Sequence, residues 1–147
     1  HSEAMYEDLD ENVDGITHLF NAMPSMHHRN RTLVNCAFMN KWNCEIIADG
    51  ELINKDVLKL ATTLIDKDKI MLVTDLSKAS INDELKVLYS IGIKYTDLLL
   101  YSSINAFRFY GLDSRYGTLE KGKYADIVIM DEDLNIKSVY AKGKFIL

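Results

Sequence analysis

The chain has 147 residues, of which 48% are apolar and 27% charged, and its formal net charge is −5. That balance suits a globular chain with a sizeable core and argues against a disordered or fibrous one. With no long Lys/Arg run, it also argues against a nucleic-acid or membrane partner, while leaving room for a local basic patch that holds a small anion.

The chain opens on His1 rather than Met, as a piece of a longer protein does. Met5, Leu9 and Val13 among acids predict a short amphipathic helix over Met5–Asn12, followed by a turn at Gly15 and a first strand ending at His18. A polar loop with His27, His28, Arg29 and Arg31 is the most basic spot, and a helix follows over Thr32–Asn40. A strand over Cys44–Ala48 runs into Asp49 and Gly50. Asn54 then caps a helix with an apolar face of Val57, Leu58, Ala61, Leu64 and Ile65.

A third strand, Ile70–Thr74, runs into Asp75 and a polar loop over Leu76–Asp83. Helices over Glu84–Ser90 and Asp97–Tyr110 stop near Gly92 and Gly111. Beyond Gly117, a strand over Ala125–Met130, a turn over Asp131–Asn135 and an alternating stretch around Lys142-Gly143-Lys144 predict a small antiparallel unit. It has too few strands to bury a face alone and needs partner strands. No apolar run approaches membrane-spanning length and no signal-peptide pattern opens the chain, so a cytoplasmic setting is expected.

Three strand-like runs therefore end in His18, Asp49 and Asp75. Strands separated by helices imply an α/β architecture with parallel pairing, in which chemistry gathers on the rim at the strands' carboxyl ends. The alternative is that these side chains only cap helices and end strands. Asp75 is the best general-base candidate, because a carboxylate beside a metal-activated water can take its proton and hand it to a leaving amine. Asp49, in an Ala-Asp-Gly turn, reads as structural. His1 and His18 are compatible with imidazole ligands on neighbouring strands, or with unrelated histidines. Arg29 and Arg31 make the His27–His28 loop an anion contact rather than a metal site. Cys36 and Cys44 match neither a zinc nor a CxxC spacing and read as reduced, partly buried thiols.

Several segments together resemble the N-acetylglucosamine-6-phosphate deacetylase family of the amidohydrolases. They are His1-Ser2, the run Thr17-His18-Leu19-Phe20-Asn21-Ala22-Met23-Pro24 through Arg29, Ile46-Ile47-Ala48-Asp49-Gly50, Leu72-Val73-Thr74-Asp75, Ser103-Ile104-Asn105-Ala106, and Gly117 to Val128. The resemblance implies the second half of a (β/α)8 barrel over 1–112 and a segment of a small β-sandwich over 113–147. It also implies a divalent metal, usually zinc, and hydrolysis of the acetamide of an amino-sugar phosphate. By the same resemblance His1 and His18 are metal ligands, Asp75 is the catalytic acid/base, Asn21 and the Ala22 backbone touch substrate, and Arg29 binds its phosphate.

Two departures from the family pattern accompany it: no residue takes the place of an earlier-strand glutamate ligand, and Leu52 stands where the family has a substrate-binding histidine. Half a barrel leaves open edges and an apolar interior face, so a homo-oligomer or association with the missing barrel half is expected. The competing readings are an inactive remnant that acts in binding or association, and a different amidohydrolase.

Overall fold

A computed structural model describes residues 13–147. His1 and the helix expected over Met5–Asn12 lie outside these residues. The chain is mixed α/β. In order come β1 (Gly15–Ile16), α1 (Leu33–Met39), β2 (Asn43–Ile46), α2 (Lys55–Leu64), β3 (Ile70–Leu72) and α3 (Ile81–Ser90). Then follow α4 (Tyr95–Leu99), a π-helical stretch Leu100–Ile104, α5 (Asn105–Phe109), and the strands β4 (Ile127–Met130), β5 (Ile136–Ala141) and β6 (Lys144–Phe145).

Local chemistry explains most boundaries. Thr32 caps α1 through a capping box: its hydroxyl accepts from the Asn35 N–H and the Asn35 side chain accepts from the Thr32 N–H. Thr32→Ala is expected to cost about 1 kcal/mol in urea denaturation, and an unchanged midpoint would deny the cap its part in stability. Asn54 caps α2 by accepting from Asp56 N at 2.8 Å. Helix α3 starts at Ile81, earlier than its apolar pattern implied, because Ser80 and Asp83 form a second capping box.

The first sheet is parallel in the order β1-β2-β3, with Ile16 beside Cys44, and Cys44 and Ile46 beside Ile70 and Leu72. Bonding continues beyond the strands, since Leu19 N donates to Glu45 O at 2.8 Å and Val73 N to Ile46 O at 3.1 Å. Cys44, Ile46 and Ile70 form one buried core with Val34, Leu58, Leu88 and Leu98 from the helices. Burying each large aliphatic side chain contributes about 1.5–3 kcal/mol. Both cysteines are free and fully buried rather than partly so, and burial pushes the Cys44 thiol up to about 12.

Helix α2 corrects its predicted face. Leu58, Ala61 and Ile65 are buried, whereas Val57 and Leu64 turn outward with Leu60, at 37%, 51% and 50% exposure respectively. The two triads share one helical spacing about 100° apart, so only one can meet the sheet.

Residues from Tyr95 to Phe109 run as one helical rod, with right-handed backbone at Leu99, Leu100, Ile104 and Asn105. Asn105 binds this rod to β3: its buried Nδ2 donates to Lys67 O and Ile70 O, each at 2.8 Å.

The second sheet is antiparallel in the order β4-β5-β6. Lys142 (φ 49°) and Gly143 (φ 77°) form the two-residue turn between β5 and β6, the left-handed pair that matches hairpin twist. Leu134 and Met130 dock this unit on the main core. Val128, Ile129 and Phe145 stay exposed, and the sheet has three strands among the described residues.

Candidate active site

The parallel order sends the chain out of β1, β2 and β3 on one side, so His18, Asp49 and Asp75 follow strands that end at a common rim. Since β1 and β3 flank β2, the segments carrying His18 and Asp75 are about 10 Å apart by strand spacing.

Both residues have backbone in the left-handed region, with φ 35° at His18 and 42° at Asp75, as do Phe20 (77°) and Ala22 (50°). Such conformations in non-glycine residues cost about 1 kcal/mol or more each and persist only where surroundings impose them. The His18 turn is imposed by the Leu19–Glu45 bond, by Asn21 N donating to His18 O at 2.8 Å, and by the complete burial of Leu19. At Asp75 the turn is closed by Ser77 N donating to Thr74 O at 2.8 Å.

His18 is half-buried and Asp75 exposed. Asn21 is half-buried, and its buried Nδ2 reaches no acceptor among the described residues. Ala22 and Arg29 are exposed. Around Arg29 the loop is ordered by its own N–H donating to His27 Nδ1 at 3.2 Å and by packing of the His27 and His28 rings, 4.6 Å apart.

Asp49 accepts from the Glu51 and Leu52 N–H groups, both at 2.9 Å, and from Ser77 Oγ at 2.8 Å. Burial works to raise its carboxyl, but the hydrogen bonds from Ser77 and from the Glu51, Leu52 and Ile53 backbone outweigh it and hold the group below the usual range.

Two acids escaped the sequence reading. Glu84 is fully buried in the first turns of α3, and neither carboxyl oxygen completes a hydrogen bond among the described residues. Burial chiefly, with the charge of Asp49, raises it to about 7 against the opposing Ala48 backbone. The signal was present, since Ile81, Glu84, Leu85 and Leu88 share one helical stripe.

Glu45 alternates with core-facing Cys44 and Ile46 and so lies on the other face of the sheet. It accepts from Thr17 Oγ1 and, at 3.0 Å, from the Tyr110 hydroxyl, an arrangement that holds that phenol above its usual range. A Cβ at Gly15 would sit 2.9 Å from Asn43 O and 3.2 Å from the Phe109 ring, so glycine is needed for this approach. On this face Met71 is 2% exposed, and Thr17, Glu45, Phe109 and Tyr110 line the cleft around it.

Among the described residues no group of three or more His, Cys, Asp or Glu side chains is arranged to hold a metal ion. By donor type the His18 imidazole and the Asp75 carboxylate suit a divalent metal, but they make only part of a ligand set. No helix among the described residues is long and apolar enough to cross a membrane.

Residues 6–146 match the model of the amidohydrolase family. The chain belongs to that family. A curated relative, the N-acetylglucosamine-6-phosphate deacetylase of Vibrio furnissii, is 24% identical over 99% of this chain and 46% of its own length. The Bos taurus enzyme of the same name is 26% identical over 89% of this chain and 42% of its own. This amidohydrolase chain thus spans less than half the length of either relative. Among solved structures, N-acetylglucosamine-6-phosphate deacetylase from Thermotoga maritima is similar with a TM-score of 0.83 and 25% identity, covering 91% of this chain and 47% of that one.

Proposed function

We propose that the chain provides the His18–Asp75 side of a metal-dependent deacetylase site that hydrolyses N-acetylglucosamine 6-phosphate to glucosamine 6-phosphate and acetate. One observation carries the reading: His18 and Asp75, both held in left-handed backbone, leave parallel strands at one rim. The similarity to deacetylases over nearly the whole chain supports the substrate class.

A divalent metal, zinc by preference for imidazole, would supply Lewis-acid activation of water, with His1 and His18 as its protein ligands. Asp75 takes a proton from the attacking water and delivers it to the departing amine. The Asn21 amide and the Ala22 backbone orient the sugar, and the Arg29 guanidinium holds the phosphate. The parallel sheet is read as part of a (β/α)8 barrel. Its remaining strands come from a complementary barrel half or from a second copy of the chain, and this association completes the ligand set.

Acetate release from N-acetylglucosamine 6-phosphate in the presence of zinc is the direct test. Asp75→Asn is expected to lower the rate about 100-fold or more. Full activity in that variant would remove Asp75 from the chemistry. No release from the parent chain, alone or in complex with a complementary barrel half, would overturn the deacetylase reading.

A further inference from the structure

Among the described residues, burial does little to hold Asp75. It is exposed, the next residue Leu76 is 90% exposed, and its left-handed backbone is one that a non-glycine residue does not keep unaided. The constraint enters through Ser77. Its backbone N–H closes the turn onto Thr74 O, its Oγ accepts from Ala79 N at 3.1 Å, and the same hydroxyl donates to Asp49 Oδ2 at 2.8 Å.

Asp49 is itself fixed at the end of β2, since its Oδ1 accepts the Glu51 and Leu52 N–H groups. One carboxylate oxygen therefore orders the β2 turn while the other holds the loop that carries Asp75. The hydrogen bonds that keep this carboxyl ionised make it a strong acceptor for the Ser77 hydroxyl. With both oxygens engaged inside the protein, Asp49 is suited to holding a neighbour rather than to meeting substrate.

We propose that Asp49, acting through Ser77, is a positioning residue for Asp75. The proposal rests on the assignment of Asp75 as acid/base, and it adds the device that aims this carboxylate at the rim. The hydroxyl of Ser77 bridges two crossover loops that sequence separates, so loss of one oxygen atom uncouples them.

The test compares the parent chain with Ser77→Ala and Ser77→Thr by nuclear magnetic resonance. In Ser77→Ala the amides of Ser77 and Ala79 are expected to exchange about tenfold faster, as loss of a hydrogen bond to a charged group implies. The Asp75 carboxyl-carbon resonance is expected to shift, the Glu51 and Leu52 amides to keep their protection, and Ser77→Thr to restore the parent pattern. Where acetate release is measured, kcat should fall about tenfold with KM within about twofold of the parent. An unmoved Asp75 resonance with parent-like exchange in Ser77→Ala would overturn the proposal and leave Asp49 ordering only its own turn. Because the resonance readout does not pass through catalysis, a fully active Asp75→Asn variant would count against the acid/base assignment separately from the tether.

Discussion

Glu84→Gln is expected to stabilise the chain by about 2 kcal/mol at pH 8 and to flatten its stability profile between about pH 5 and 7. Glu84 is raised from 4.5 to about 7, mainly because burial disfavours its charged form, with the Asp49 charge adding to this and the Ala48 backbone opposing it. Across that interval the folded chain keeps a proton that the unfolded chain has released. Stability is therefore highest below the unfolded value and falls as pH rises through the folded one. The figure is discounted for solvent screening of the site and for the amide's own unmet hydrogen-bonding groups.

Asp49 does not obscure this window. Its carboxyl lies below 3.8, so its contribution is present above that value and is lost only as pH falls further. Urea denaturation at pH 5, 6, 7 and 8 measures the effect. Parallel pH profiles for parent and variant would show that Glu84 does not titrate in the folded chain.

Asn105→Ala is expected to destabilise the chain by about 2–3 kcal/mol at every pH. The side chain is 2% exposed, and its single amide nitrogen serves the carbonyls of Lys67 and Ile70 together. Alanine would leave both acceptors without this donor and open a small void where the π-helical stretch passes into α5. Asn105→Asp is expected to be worse, since a carboxylate would face two carbonyl oxygens. Thermal unfolding reads both, and a variant within 0.5 kcal/mol of the parent, about the scatter of neutral surface changes, would deny Asn105 this role.

The elements were legible where the responsible chemistry lies within a few residues. Asn54 announced its helix and the Lys142-Gly143 turn its hairpin, because caps and turns satisfy backbone groups beside them. The start of α3 was missed, because the polar run Leu76–Asp83 read as a loop although its Ser80 and Asp83 cap the helix. Helix α2 was only half legible. Its pattern offers two apolar stripes, and which one meets the sheet depends on how the helix sits on its neighbours.

At the site, the residue types and their strand-end positions were readable in His18, Asp49 and Asp75. Their family-level meaning came from the run Thr17–Pro24. The Ser77–Asp49 bond, the Glu45–Thr17 and Glu45–Tyr110 contacts, and the Asn105 bridge all join residues far apart in sequence. A hydroxyl, a carboxylate or an amide carries no mark of the distant partner that folding will bring to it.

By itself, then, the sequence determined the broad order of helices and strands, the Asn54 cap, the family, and the candidate groups at the strand ends. Those follow from periodicity, short-range hydrogen bonding and a recognisable motif. Only the tertiary structure decided that Asp49 anchors the Asp75 loop, that Glu84 is a carboxyl sealed in the core, and that Phe109 and Tyr110 lie against the second face of the sheet. Each of these depends on the register and crossing of separate elements, where burial removes water and leaves the chain's own atoms to satisfy one another.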